Sequence, residues 1–247
     1  MFCPVCNSLA IETHSVDAPS AIAYTQDAGK KRDRMIARCG SCWSRFSPSV
    51  ATVDFIEDAN AQALVNYEYY KPNFSREKFE EQLSINKAML SCFARFFRKR
   101  RVYVELGVGL GMLTRAASEY FDIAHGLDLE IEVAETSGPC SENVSFIKHD
   151  AFVSSFVGEI DALGAWHVVE HLADPHVALR PFLSLLSSNG VFFGQVPLYK
   201  PEYVIESHFV FYTEHTLIKL LSAYGMCPVY LERDEVNSFL SFCFRMQ

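Results

Sequence analysis

The sequence predicts an α/β protein with a seven-stranded, mostly parallel sheet, its last strand antiparallel, preceded by a small metal-held ribbon. Three observations carry this. From residue 102 onward, apolar runs of strand length alternate with helical patterns, as crossover units of a parallel sheet require. The last two runs, 226–231 and 238–244, follow each other too closely for a helix to intervene, so they must pair as an antiparallel hairpin. Cys3, Cys6, Cys39 and Cys42 form two C-x-x-C pairs, and four thiolates so grouped suit a structural, tetrahedral metal closed to water.

At 247 residues the chain has room for one sizeable core and a small appendage. The organisation expected is a ribbon over 1–48, a linker and helical region over 49–100, and the main domain over 101–247. No apolar run approaches the roughly 18 residues of a membrane span. The start, MFCPVCNSLA, lacks a basic region followed by an apolar stretch, so a secretory signal is not expected and a cytoplasmic location is. A net charge of −8 argues against a general nucleic-acid binder.

In chain order, 32 residues separate the cysteine pairs, with hairpin arms expected over 13–24 and 34–37 and a solvated basic tip at Lys30, Lys31, Arg32 and Arg34. Cys92, Cys140, Cys227 and Cys243 stand alone and read as small buried hydrophobes. Tyr67, Glu68, Tyr69, Tyr70 and Pro72 would cover the domain's edge or close as a lid over a bound ligand. Ser75 can cap a helix whose Phe79, Leu83, Leu90, Phe93 and Phe97 recur at helical spacing. Arg98 to Arg101 then suit the negative end of its dipole.

The stretch RVYVELGVGLGMLT reads as strand, glycine turn, helix. Gly107 and Gly109 allow a ligand to approach bare backbone, and Gly111 lets the helix start pack against the strand. The spacing E-x-G-x-G-x-G is one residue shorter between its last glycines than a dinucleotide loop. Glu105 would repel a pyrophosphate but suits a ligand carrying ammonium and sulfonium charge. Next come a helix over 112–120, a strand over 123–127 ending in Asp128, and a strand over 144–147 running into Asp150. A strand over 160–166, a helix over 175–187 and an Asn189-Gly190 turn follow. The turn leads into a strand over 191–196, and a helix over 213–223 ends at Gly225. Ligands of such sheets sit at the strands' C-terminal ends. There Asp128 would accept two ribose hydroxyls, with Leu129 beside it. Asp150 would hold an adenine amino group, with Ala151 and Phe152 against the ring.

Residues 101–232 resemble class I S-adenosylmethionine-dependent methyltransferases. GVGLG stands as the first motif, Asp128 and Asp150 as the acidic residues of the second and third, and DALGAWHVVEHLADP as the fourth. NGVFFGQVP and HFVFYTEHTLIKLLSAYGM resemble later parts of the same family. The resemblance implies a Rossmann-like methyltransferase sheet that binds S-adenosylmethionine at Glu105, Gly107, Gly109, Gly111, Asp128, Leu129, Asp150, Ala151 and Tyr70. The cysteine ribbon, with structural Zn²⁺, and the tyrosine cluster resemble a subgroup acting on sugars, cell-surface polysaccharides or natural products. The sugar C-methyltransferases of that subgroup carry a further C-terminal domain, so the resemblance to them stops at the seventh strand. The acceptor implied is a hydroxyl of a sugar, nucleotide sugar or related precursor.

A hydroxyl acceptor needs a base near neutral pKa. His167, leaving the fourth strand, is the candidate, with His171 one turn on. Three other readings attach to these residues. H-x-x-E-H is also the inverted zinc-protease pattern, which must lie within a helix. Small-RNA 2′-O-methyltransferases resemble this region and hold a divalent ion, for which Glu170, His171 and His208 match, but His167 replaces an acidic ligand and Mg²⁺ prefers oxygen. The third is a non-catalytic partner subunit that keeps the fold.

Overall fold

Seven strands form the main sheet in the order β10-β11-β8-β7-β4-β5-β6 in a computed structural model of the chain, which describes residues 1–9, 11–19, 31–48, 70, 75–204 and 207–247. The strands are β4 (Val102–Leu106), β5 (Ile123–Asp128), β6 (Val144–Lys148), β7 (Ile160–Trp166), β8 (Leu186–Pro197), β10 (Met226–Asp234) and β11 (Phe239–Met246). β4 to β8 are mutually parallel, and β11 runs antiparallel between β8 and β10. β7 is buried along nearly its whole length, as a strand covered on both faces must be. The tyrosine lid at Tyr67, Glu68, Tyr69 and Pro72, and the hairpin tip at Lys30, lie outside the described residues.

Helix α1 (Arg76–Phe93) starts where Ser75 Oγ accepts the Lys78 N–H at 3.2 Å. It lays Leu90 and Phe93 against the sheet and Phe79 against Leu110, Met112 and Val133, and the Phe93 ring sits 5.0 Å from Phe193 of β8. α2 (Met112–Ala117) shares this face. α5 (Pro175–Leu183) and α6 (Glu214–Ser222) cover the other through Phe182, Leu217 and Leu221. α3 (Glu132–Thr136) and α4 (His149–Ser155) are short crossovers between the strands near β6.

Two expectations are corrected here. Only Arg100 of the basic run serves the end of α1, its Nη2 donating to the carbonyl of the C-cap Ala94 at 3.3 Å, because the helix ends at Phe93 and a 3₁₀ turn, Ala94–Phe96, intervenes. Instead Arg101 reaches the start of β7. Its backbone N–H and Nε donate to Asp161 Oδ2 at 2.9 and 3.1 Å, and Ser187 Oγ donates to Oδ1 at 2.8 Å. Asp161, 2% exposed, thereby ties together the starts of β4, β7 and β8, away from the strands' C-terminal ends. Asn189-Gly190, expected as a turn, lies inside β8: Asn189 takes φ +65°, and a register shift opposite Ile160 and Ala162 absorbs the irregularity.

A second sheet has the order β1-β2-β3-β9. β1 (Ile11–Pro19) and β2 (Lys31–Cys39) pair antiparallel, and β3 (Arg45–Phe46) pairs both with β2 and with β9 (Val210–Phe211). The residues expected as separate domains, 1–48 and 101–247, thus meet in one sheet. They also share a core, since Cys3, Val5, Cys39 and Phe46 are buried in one cluster with Val210, Tyr212 and Leu217. Among the described residues no helix is long and apolar enough to cross a membrane.

Candidate active site

β4 ends at Leu106, and the chain then turns on three glycines with φ of +68° at Gly107, +50° at Gly109 and +72° at Gly111. These are conformations that side-chain-bearing residues rarely adopt. The absent side chains matter as well: a Cβ at Gly107 would meet a Val168 methyl, and one at Gly109 would meet the Tyr70 hydroxyl. The Gly107 N–H donates to the Leu127 carbonyl at 2.8 Å and the Gly111 N–H to that of Val108 at 2.7 Å. The turn is therefore fixed against β5.

Asp128 closes this rim. Its Oδ2 accepts the Gly109 N–H at 3.3 Å and its Oδ1 accepts the Leu129 N–H at 2.8 Å, leaving lone-pair capacity on each oxygen for a further donor. Burial pushes its carboxyl up, while backbone N–H groups, Gly109's foremost, pull it down. Glu105, 3% exposed, lies beneath the turn with its carboxylate taken by the Thr114 hydroxyl. Burial pushes it up to about 8, with the Thr114 hydrogen bonds opposing.

Asp150 sits two residues beyond β6, in the first turn of α4 rather than at a strand end, and accepts the Ala151 N–H at 2.9 Å. Asp150, Ala151 and Leu129 are exposed on one rim. Phe152 is not: the α4 turn points it inward, 2% exposed and stacked 4.5 Å from Phe156, so it is a core residue and not a ring-facing one. Sequence reasoning passed over Thr114 and Arg115. The buried Arg115 guanidinium donates to the carbonyls of Leu110, Ala134, Gly138 and Pro139 at 2.7 to 3.0 Å, pinning α2 to the loop after α3. An arginine amid the apolar residues of a helix start was the available signal.

On the other side of the turn, β7 delivers His167 in a left-handed conformation, φ +54°, which a non-glycine residue holds only where its surroundings enforce it. Its N–H donates to the Gln195 carbonyl at 2.9 Å, and its Nδ1 lies 3.4 Å from Glu170 Oε1. The half-exposed imidazole packs edge-on to Phe239 at 4.8 Å, and Phe239 stacks on Tyr203 at 6.1 Å. Glu170 is 1% exposed, and neither carboxylate oxygen has a hydrogen-bond partner among the described residues.

His171 does not join His167. Its Nδ1 donates to the Ser207 carbonyl at 2.7 Å, while His208 Nδ1 donates to that of Tyr203 at 2.8 Å. Carbonyls only accept, so both rings carry a proton on Nδ1, and a ring in its neutral form keeps its lone pair on Nε2. Glu170, His171 and His208 bring one ligand atom each within 4.8 Å of one another. Burial, then the neighbouring His171, lowers His208 to about 4. The inverted zinc-protease reading fails on geometry, since Val169–His171 is a single 3₁₀ turn and not an α-helix carrying both histidines.

The cysteine pairs form two matching knuckles. Cys3 and Cys39 accept through their carbonyls from Asn7 and Trp43, both at 2.9 Å, and those residues take φ +57° and +61°. The Val5 and Ser41 N–H groups point at Cys3 and Cys39 Sγ at 3.4 Å. Cys3 and Cys42 Sγ lie 3.5 Å apart, Cys6 and Cys39 3.6 Å, and all four within 4.8 Å. A tetrahedral Zn²⁺ with Zn–S near 2.3 Å asks for sulfurs about 3.8 Å apart, so the donor set fits. Burial pushes Cys39 up, but the Cys42 and Ser41 N–H groups more than offset it and hold the thiol at about 7.

A family model described as a methyltransferase domain matches residues 79–230, more than half of the chain. No curated protein matches it. Among solved structures, magnesium protoporphyrin IX methyltransferase (ChlM) from Synechocystis PCC 6803 with bound S-adenosylhomocysteine is similar with a TM-score of 0.55 and 11% identity, over 76% of this chain and 96% of that one. CalS10, an S-adenosylmethionine-bound amino pentose methyltransferase from Micromonospora echinaspora, gives 0.51 and 14%, over 65% and 90%. A chain of the complex between the Haloferax volcanii Trm112 methyltransferase activator and a methyltransferase gives 0.55 and 13%, over 71% and 96%. At these identities the likeness is one of fold.

Proposed function

Because the chain belongs to the methyltransferase-domain family and is an S-adenosylmethionine-dependent methyltransferase, we propose that it methylates a hydroxyl of a sugar, nucleotide sugar or related small precursor. The observation that carries this is the juxtaposition of two rims at the strand ends. One is bare glycine backbone with Asp128; the other is a half-exposed histidine set among aromatic rings.

On this reading Gly107, Gly109 and Gly111 take the methionine end of S-adenosylmethionine. Asp128 receives the ribose hydroxyls, and Leu129, Asp150 and Ala151 line the adenine. Tyr70 lies over the turn at Gly109. The cofactor supplies a methyl group already activated by its sulfonium. The protein's work is then orientation and the removal of one proton. Glu170 Oε1 stands 3.4 Å from His167 Nδ1, a negative charge that favours the proton on that nitrogen and leaves Nε2 to accept the proton of an acceptor hydroxyl as its oxygen takes the methyl group. Phe239, with Tyr203 stacked behind it, brings apolar ring surface against the imidazole, which suits an acceptor ring that is polar at its edge and apolar on its face. CalS10 supports the sugar assignment as a sugar-modifying enzyme of this fold. Zn²⁺ at Cys3, Cys6, Cys39 and Cys42 has a structural role.

The test is methyl transfer from labelled S-adenosylmethionine to a panel of nucleotide sugars and free sugars. Transfer to a sugar hydroxyl is expected, with kcat for His167→Ala down by about 100-fold or more and binding of S-adenosylhomocysteine retained. A second reading, metal-assisted methylation of an RNA 2′-hydroxyl, is favoured by the unpartnered Glu170 carboxylate beside two Nε2 lone pairs. Activity on RNA that requires added Mn²⁺ and vanishes in Glu170→Gln would replace the first reading with this one.

A further inference from the structure

The ribbon's docking contact falls on the segment that carries His208. β9 is two residues long and lies at the edge of the small sheet; β3 is the strand it pairs with, and the main sheet does not include it. So short a strand has little stability of its own. Its neighbour Phe209 is a bridge. The Phe209 carbonyl accepts the Ser47 N–H at 2.8 Å, and the Phe209 N–H donates to the Glu170 carbonyl at 2.7 Å. One residue's backbone thus joins the ribbon to the turn bearing Glu170 and His171. Just before it, the Ser207 carbonyl accepts from His171 and His208 donates to the carbonyl of Tyr203, whose ring backs Phe239 and, through it, His167.

The packing agrees. Val210, Phe211 and Tyr212 are at most 1% exposed, and Phe46 with Cys39 and Cys42 lies within the same buried region. Two further contacts brace the knuckles against the helices flanking the segment. His176 of α5 reaches the Val5 carbonyl at 3.1 Å, and Trp43 lies 5.7 Å from His215 of α6. By contrast, the hydrogen bonds shaping the cofactor rim among the described residues run within residues 105 to 151.

We propose that the four-cysteine ribbon is a positioning element for the acceptor side of the active site, setting His208 and the Glu170 turn through the β3–β9 pairing while leaving the cofactor rim independent. The acceptor assignment in this statement rests on the methyltransferase reading above. The ribbon folds locally around its metal, so metal at the cysteines governs the order of residues 207–212, far along the chain from the glycine turn.

Hydrogen exchange on the full chain, zinc-loaded and zinc-stripped, tests this, with diethylpyrocarbonate labelling of His208 and S-adenosylhomocysteine calorimetry on the same samples. Stripping is expected to release protection in 31–48 and 207–212 together by about tenfold or more and to make His208 reactive. S-adenosylhomocysteine affinity should stay within about threefold. Phe46→Ala, which spares the cysteines, should reproduce the loss at 207–212, and Phe46→Leu should restore it. Protection at 207–212 that survives loss of the ribbon would overturn the proposal. So would exchange that spreads through β4 and β5 with cofactor affinity lost. Failure of zinc-loaded wild type to bind S-adenosylhomocysteine would instead sink the methyltransferase reading, and the exchange result would still decide the ribbon's role.

Discussion

Glu105 is the residue whose chemistry departs furthest from its sequence context. Burial lifts its carboxyl from the usual 4.5 to about 8 against the Thr114 hydrogen bonds. Between those values the folded protein keeps a proton that the unfolded chain has released, so stability falls as pH rises from 4.5 to 8, by up to about 1.4 kcal/mol per pH unit crossed. Glu105→Gln has no such proton and keeps an acceptor for Thr114; urea denaturation across this range should show the decline flattened. Gly109→Ala should lose about 1 kcal/mol or more, because its φ of +50° is strained for alanine and its Cβ would displace the Tyr70 hydroxyl. A lower urea midpoint together with weaker S-adenosylhomocysteine binding would show it. The glycines and Asp128 were legible in the sequence because their requirement is local: a turn after a strand, an acid at the next strand's end. The partners of Glu105 and the isolation of Glu170 were not, since both depend on which side chains the fold brings alongside.

At the scale of elements, alternation and capping carried most of the reading. Ser75 caps α1, and the terminal hairpin is antiparallel as its short connection demands. Two elements were misread where a local pattern met a non-local demand. Arg101 serves Asp161 across the sheet, and Asn189-Gly190 is absorbed into a bulged strand. Asp161→Ala should therefore cost about 2–4 kcal/mol, because it leaves the Arg101 N–H and the starts of three strands without their shared acceptor. Thermal denaturation would register this loss. Affinity for S-adenosylhomocysteine should change less than about threefold, since Asp161 stands at the far end of the strands. The two-residue pairing of β3 with β9 had no sequence signal at all, because so short a strand shows no period.

For the whole molecule, the seven-stranded order follows from alternating runs of apolar residues, and the cofactor end follows from the rule that ligands sit where those strands stop. Where the ribbon docks, and hence what walls the acceptor, is set by tertiary packing and was hidden. The fold is shared with proteins that act on an amino pentose and on a porphyrin, so the acceptor is decided by loops and docking surfaces rather than by the sheet. The central claim is that the glycine turn and Asp128 form the S-adenosylmethionine site. Calorimetry of S-adenosylhomocysteine against zinc-loaded wild type and Asp128→Ala tests it most directly. Binding of one ligand per chain is predicted, weakened by about 10- to 100-fold in the variant through loss of charge-assisted hydrogen bonds. No binding to wild type, or equal binding to both proteins, would contradict it.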